Sequence, residues 1–180
     1  MKNTLIILIP ISLLLSSFSC QRNNQPEQKN MSELKEEYKE PLMDWNKRKI
    51  KDQDMQIKGY AERRNWNMTR TGTGLYYEIY KHGEGHAADS GQIAIINYKL
   101  HLLDGTYCYS SDSTGPKKLK LGRVELESGL EEAIFMMQQG DKARLIVPPH
   151  LAYGLPGDGD KIPPDAILVY NVELIDLLEL

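Results

Sequence analysis

Residues 129–174 read GLEEAIFMMQQGDKARLIVPPHLAYGLPGDGDKIPPDAILVYNVEL, and this stretch decides the fold. Near its start, Leu130, Ile134 and Met137 recur at helical spacing. Gly129 and Gly140 bracket these apolar residues, as glycines do at helix ends. The pattern therefore predicts one short helix with a single apolar face.

Segments of strand character surround the predicted helix on both sides. Apolar and polar residues alternate over 92–103, and Asp104-Gly105 then forms a turn signal that leads into a second strand. The predicted strands cover residues 75–80, 92–103, 106–109, 119–121, 142–147 and 167–177. Because such a sheet needs a helix to cover its apolar face, the sequence predicts an α+β domain.

The order and spacing of several short motifs resemble the FKBP-type peptidyl-prolyl cis-trans isomerases. These motifs are Gly83-Glu84-Gly85, Asn97-Tyr98, Asp104-Gly105, Gln139-Gly140-Asp141, Ala152-Tyr153-Gly154 and Ile162-Pro163-Pro164. The resemblance covers residues 71–180 and implies an FKBP-like domain there. It implies a twisted antiparallel sheet wrapped around the short helix, with a ligand pocket between them.

The resemblance also implies three catalytic residues. Tyr153 matches the tyrosine whose hydroxyl donates a hydrogen bond to a ligand carbonyl in this family. Ile162 matches a loop residue whose backbone N–H and side chain contact the bound proline segment, and Tyr98 matches a tyrosine of the pocket wall. Tyr153 lies between small residues in a loop, which core packing does not demand.

Five further positions are implied to bind substrate: Tyr170, Leu126, Leu130, Cys108 and Tyr109. An apolar cup with a few inward polar groups is the usual form of a small-ligand site. Tyr98 and Tyr170 have an alternative interpretation as core aromatics, because both lie in predicted strands.

Several pocket positions depart from the family pattern. Cys108 stands where most active members have phenylalanine, Tyr109 where they have aspartate, and Leu130 where the best-known members have tryptophan. Lys117 and Glu127 occupy positions that are usually apolar. We expect these changes to weaken binding of the family's macrolide inhibitor and to reduce isomerase activity.

The first nineteen residues have the layout of a secretory signal peptide. Lys2 precedes an apolar run over residues 5–15, which is too short to span a bilayer, and small residues then lead to Cys20. This ending resembles a bacterial lipobox, although Ser17 stands where leucine is usual. We predict a lipoprotein signal peptide at 1–19 and lipidation of Cys20; the alternative is a cleaved signal with an incidental cysteine.

A polar tether and a helical extension are predicted between this signal and the domain. Residues 20–30 lack core-forming side chains, whereas residues 31–70 favour helix. Pro41 is expected to divide the extension into a weak helix over 32–39 and a firmer one over 42–64. The apolar stripe on the second helix either packs on its own domain or forms a homodimer interface.

Composition and residue spacing argue against nucleic-acid binding and against a metal site. A net charge of −3 without a basic block argues against a nucleic-acid partner. His82 and His86 flank Gly-Glu-Gly and do not form a helical metal pair, so no metal and no cofactor are predicted. With Cys20 lipidated, Cys108 has no intramolecular disulfide partner, and we expect it to be a small buried apolar residue.

Together these features predict a membrane-anchored prolyl isomerase that faces the periplasm. Its predicted partners are proline-containing exported polypeptides, and the membrane through the lipidated Cys20. The layout also resembles the gliding-motility-associated isomerase lipoproteins of the Bacteroidetes, which would make motility-machinery proteins the substrates. The alternative is a non-catalytic client-binding module or holdase on the same fold.

Overall fold

The computed structural model describes residues 30–123 and 127–179. Four predicted features lie outside the described residues: the signal peptide, the lipidation of Cys20, nearly all of the tether, and the pocket residue Leu126. Within the described ranges, no helix combines the length and apolar character needed to cross a membrane.

Over residues 30–123 and 127–179, seven strands form one antiparallel sheet around a short helix. The strands are β1 (Thr69–Arg70), β2 (Tyr76–Lys81), β3 (Ile93–Leu102), β4 (Tyr107–Ser110), β5 (Lys117–Lys120), β6 (Lys142–Val147) and β7 (Leu168–Leu178). The helices are α1 (Met31–Glu62), α2 (Ser111–Thr114) and α3 (Ser128–Phe135), and a 3-10 turn covers Pro149–Leu151. This arrangement confirms the predicted α+β fold with an N-terminal helix.

The strand order is β1-β2-β6-β7-β3-β4, and β5 also pairs with β3. Strands β4 and β5 therefore share one edge of β3, and α2 separates them. At this interruption the backbone N–H of Tyr98 donates to the Ser111 hydroxyl at 3.1 Å, so a side chain replaces the missing strand partner.

The two faces of the sheet carry two separate apolar clusters. Residues alternate between the faces along each strand, so Leu145 of β6 belongs to the larger cluster, while Ile146 belongs to the smaller. Helix α3 covers the larger cluster with Leu130 and Ile134. Gly129 makes this approach close, because a Cβ at that position would lie 2.6 Å from a methyl carbon of Val147.

The second half of α1 covers the smaller cluster. Ile57, Tyr60 and Ala61 are buried there against strand residues such as Val169. Of the two alternatives for the apolar stripe, packing on its own domain describes Ile57, Tyr60 and Ala61, whereas Ile50, the other apolar residue of the stripe, is 51% exposed. The compact unit that contains the sheet begins at Leu42.

The predicted break at Pro41 is wrong. Helix α1 runs without interruption from Met31 to Glu62 and contains Pro41. Proline removes one backbone hydrogen bond and costs about 3 kcal/mol inside a helix, but it does not forbid the helical dihedral angles. Strong helix formers such as Glu, Lys and Met on both sides of Pro41 favour continuation.

Candidate active site

Most of the predicted site residues meet in the larger apolar cluster. Cys108, Leu130, Ile162 and Tyr170 are buried in it, and the partly buried residues Tyr98, Tyr109 and Tyr153 pack against it. Tyr153 and Tyr170 bind Glu127 at the start of α3, whereas Tyr109 and Ile162 bind Asp158. Leu126 lies outside the described residues.

Tyr98 and Tyr170 come from neighbouring strands. Tyr98 of β3 pairs with Val172 of β7, and Tyr170 lies two residues along β7, so the two tyrosines are diagonal neighbours on one face. Their ring centroids are 6.2 Å apart and the rings are tilted by 44°. Tyr170 is buried, so the alternative interpretation as a core aromatic fits its packing, but its hydroxyl also reaches the site.

Tyr153 follows the 3-10 turn and directs its hydroxyl to the carboxylate of Glu127. The Tyr170 hydroxyl donates to the second oxygen of the same carboxylate at 3.2 Å. Burial, followed by the hydrogen bond and the negative charge of Glu127, raises the pKa of the Tyr153 phenol. Both hydroxyls are therefore protonated donors at neutral pH.

Lys117 completes this arrangement. Its Nζ lies 3.0 Å from each carboxylate oxygen of Glu127 and 5.9 Å from the centroid of the Tyr98 ring. We call Lys117, Glu127, Tyr153 and Tyr170 the pocket cluster. Sequence reasoning identified Lys117 and Glu127 only as departures from an apolar pattern. Their opposite charges were the signal that would have predicted an ion pair.

The loop after Tyr153 forms a second polar arrangement, around Asp158. One oxygen of Asp158 accepts the backbone N–H of Ile162 at 2.8 Å and that of Asp160 at 2.9 Å. Burial raises the pKa of this carboxyl, but the hydrogen bond from the Tyr109 hydroxyl and the two backbone donors outweigh it, so the pKa lies below its usual value. Gly157 is required beneath this loop, since a Cβ there would lie 2.3 Å from the Ile162 carbonyl oxygen.

Tyr109 and Cys108 occupy adjacent positions on β4 but differ in environment. The Tyr109 hydroxyl donates to Asp158 and lies 3.2 Å from a carboxylate oxygen of Asp160, and these bonds raise the pKa of its phenol. Cys108 is fully buried, with its Sγ 3.7 Å from the Lys161 carbonyl oxygen, and burial raises the pKa of its thiol. This confirms Cys108 as a small buried residue.

A family model matches the part of the sequence that contains this site. The model described as FKBP-type peptidyl-prolyl cis-trans isomerase matches residues 84–175. The chain belongs to this family. The matched residues contain every described site residue named above, from Tyr98 to Tyr170.

Similar proteins agree with this assignment. The isomerase FkpA of Escherichia coli K12 is 33% identical over 129 residues, which are 70% of this chain and 47% of the relative. The probable FkpA of Neisseria meningitidis is 37% identical over 108 residues, covering 59% of this chain and 39% of the relative. The chain therefore spans less than half the length of these curated relatives.

Solved structures share the fold. The crystal structure of AtFKBP13 is similar with a TM-score of 0.58 and 30% identity, covering 61% of this chain and 98% of that chain. The crystal structure of FkpA from Escherichia coli gives a TM-score of 0.61 at 25% identity, covering 84% of this chain and 75% of that chain.

Proposed function

We propose that this protein catalyses cis-trans isomerisation of X–Pro bonds. One observation supports the proposal: Tyr153 and Tyr170 meet at Glu127 at the start of α3, Tyr98 lies beside Tyr170, and all three tyrosines pack in or against one apolar cluster. Ile162 and Leu130, which the resemblance assigns to the pocket, are buried in the same cluster.

The chemistry needs no nucleophile or metal. Rotation about the peptide bond faces a barrier of about 18–20 kcal/mol, because the planar amide loses its resonance. The twisted amide has less charge separation than the planar one, so an apolar pocket favours it over the ground state. A hydrogen bond from the Tyr153 hydroxyl to the prolyl carbonyl would hold the segment in place while it rotates.

The decisive experiment measures isomerisation of proline-containing tetrapeptides, with varied residues before proline, by the purified full-length protein. We expect acceleration, and we expect Tyr153→Phe to lower kcat/KM about tenfold, the effect of losing roughly 1.4 kcal/mol of transition-state stabilisation. Tyr80→Phe is the matched control, because Tyr80 is an exposed tyrosine of β2 outside the candidate site. Equal losses in both variants would refute the assigned role of Tyr153.

A second candidate function is a binding module without turnover. Both donors assigned to the ligand are already bonded within the protein, the Tyr153 hydroxyl to Glu127 and the Ile162 N–H to Asp158. A protein that binds proline-containing chains and protects them from aggregation, but accelerates no tetrapeptide, would support this candidate. Acceleration that depends on Tyr153 would exclude it.

We also propose that the protein acts on exported polypeptides at a periplasmic membrane surface, including those of the gliding machinery. The lipobox-like ending at Cys20 supports this location, and each acyl methylene buried in the membrane contributes about 0.8 kcal/mol. In bacterial cells, we expect radiolabelled palmitate in the wild-type protein and none in Cys20→Ser. Unlabelled wild type would contradict the lipid anchor.

A homodimer through α1 is the proposed assembly. Several large apolar side chains of this helix are exposed: Tyr38, Leu42, Met43, Trp45, Ile50 and Met55. A second copy of the same helix would cover such residues by an isologous contact. We expect sedimentation equilibrium to give a dimer for the full-length protein and a monomer for Trp45→Glu; a wild-type monomer would overturn the proposal.

A further inference from the structure

The carboxylate of Glu127 accepts three hydrogen-bond donors inside the candidate site. The Tyr153 and Tyr170 hydroxyls bind its two oxygens, and the Lys117 ammonium bridges both oxygens. The Glu127 side chain is only 11% exposed, so these three donors replace most of its water. A buried carboxylate without such partners would be strongly unfavourable.

Because of this arrangement, Glu127 and a substrate carbonyl compete for the same donor, the Tyr153 hydroxyl. A phenol hydroxyl has one hydrogen to donate, and in the structure the Tyr153 hydrogen points to Glu127. A peptide carbonyl is an uncharged acceptor and forms a weaker hydrogen bond with the same hydroxyl than a carboxylate does. Any segment that uses Tyr153 must therefore first displace this bond.

Lys117 makes the displacement feasible. In the structure, Lys117 lies 3.0 Å and the Tyr170 hydroxyl 3.2 Å from Glu127, so both partners remain available to the carboxylate when Tyr153 turns to a substrate. The carboxylate thus remains paired and the cost of burying its charge does not return in full. Lys117 is itself 32% exposed, so its ammonium keeps contact with water when Glu127 shifts.

We propose that Glu127 is a specificity-determining residue that competes with the substrate carbonyl for the Tyr153 hydroxyl, while Lys117 holds the displaced carboxylate. The proposal rests on the proposed isomerase site and deepens it. The pocket then favours segments whose other contacts are strong enough to displace Glu127, and it discriminates against short, weakly bound peptides.

The test compares Glu127→Leu with wild type, using the full-length protein and succinyl-Ala-Leu-Pro-Phe-4-nitroanilide. We expect Glu127→Leu to lower KM, and the peptide Kd from NMR titration, at least threefold with kcat nearly unchanged. The double variant Lys117→Leu with Glu127→Leu restores an apolar pair and should give the same gain. The double variant is needed because Glu127→Leu alone leaves Lys117 without its carboxylate partner, which could by itself disturb folding.

The gain must depend on Tyr153. In a Tyr153→Phe background, we expect Glu127→Leu to leave KM and Kd unchanged, because the hydroxyl that it would release is absent. An equal gain in that background would mean that the substitution merely loosens the pocket, and would overturn the proposal. Glu173→Leu is the matched control, since it removes a carboxylate from the Lys142–Glu173 pair, at 3.0 Å on the strands outside the site.

The outcomes separate this inference from the proposed function. If wild type catalyses isomerisation and Glu127→Leu shows no decrease in KM or Kd, the inference is wrong and the proposed isomerase function is retained. Tighter peptide binding by Glu127→Leu, with no turnover in any variant, would support the inference and overturn the isomerase. No tighter binding and no turnover would overturn both.

Discussion

Two clusters of tyrosine, carboxylate and cation lie on opposite faces of the sheet. They differ in whether their hydrogen bonds hold a helix in place or occupy a hydroxyl that a substrate would use. In the first, which we call the helix cluster, Tyr76 donates to Asp54, and Asp54 also binds Lys58 at 2.7 Å and Arg70 at 3.0 Å. The pocket cluster repeats this chemistry with Tyr153, Tyr170, Glu127 and Lys117.

The helix cluster joins α1 to the sheet beneath it, and no step of the proposed function requires these two elements to move apart. Asp54 and Lys58 are one turn apart on α1, and Tyr76 belongs to the small apolar cluster beneath that helix. The pocket cluster instead draws its members from a strand edge, a helix start, a loop and β7, beside an apolar cup. Interactions of the same kind therefore dock α1 in the helix cluster, whereas in the pocket cluster they determine whether the Tyr153 hydroxyl is available to a substrate.

Removing the apolar support of the helix cluster should have the largest effect on stability. Ile57 is fully buried between α1 and the sheet, and we expect Ile57→Ala to lower the free energy of unfolding by about 2–5 kcal/mol. Urea unfolding followed by circular dichroism measures this loss. A change comparable to that of Ile50→Ala, at an exposed position of the same helix, would show that α1 is not docked as described.

The Asp54 carboxylate should stabilise the fold without affecting catalysis. Asp54→Ala leaves the Tyr76 hydroxyl without its acceptor and Arg70 without its partner. We expect a loss of about 2 kcal/mol in the free energy of unfolding, as for a hydrogen bond to a charged group, and an unchanged KM. A fall in KM like the one expected for Glu127→Leu would remove the distinction between the two clusters.

Alkaline pH should weaken the helix cluster through Tyr76. Burial and the bond to Asp54 raise the pKa of Tyr76 to about 12, whereas an unfolded tyrosine titrates near about 10. The folded protein then retains a proton that the unfolded chain releases, so this contribution is full below pH about 10 and is lost as the pH rises through about 12.

Tyr76→Phe should therefore lose less free energy of unfolding than wild type over that pH range. Urea midpoints measured at successive pH values provide the test, with Tyr80→Phe as the control. Parallel curves for wild type and Tyr76→Phe would contradict the assignment of the alkaline loss to Tyr76.

The ion pair between Lys58 and Asp54 should contribute least to the free energy of unfolding. Lys58 lies four residues after Asp54 and is 57% exposed, so solvent screens much of the attraction. We expect Lys58→Ala to change the free energy of unfolding by less than about 0.5 kcal/mol. A loss as large as that of Asp54→Ala would mean that Lys58, rather than Tyr76 and Arg70, holds the carboxylate in place.

Local patterns predicted most of the fold. The bounds of β6 agree with the expectation, and those of β2, β3, β4 and β7 differ by about one residue. The short helix α3 was predicted, but its start was not: it begins at Ser128, so Gly129 lies inside its first turn rather than outside it. Strand β1 and helix α2 were not predicted, because two to four residues carry no periodicity; only pairing with β2 and the interruption beside β3 define them.

The candidate site was predicted less completely than the fold. The motifs identified Tyr153, Ile162 and Tyr98, and the structure brings them to one apolar cluster. The internal acceptors of the two expected ligand donors, Glu127 and Asp158, were not foreseen. Hydrogen-bond partners depend on distances of a few tenths of an ångström, which no sequence pattern encodes.

The sequence by itself determined the six longer strands, the short helix and the family, because these depend on the spacing of apolar residues and glycines along the chain. The tertiary structure alone decided that Lys117, Glu127, Tyr153 and Tyr170 form one cluster. These four residues come from separate segments, up to 53 positions apart. Their hydrogen bonds and charge pairing act only at contact distance, so folding must bring the residues together before any of those interactions exists.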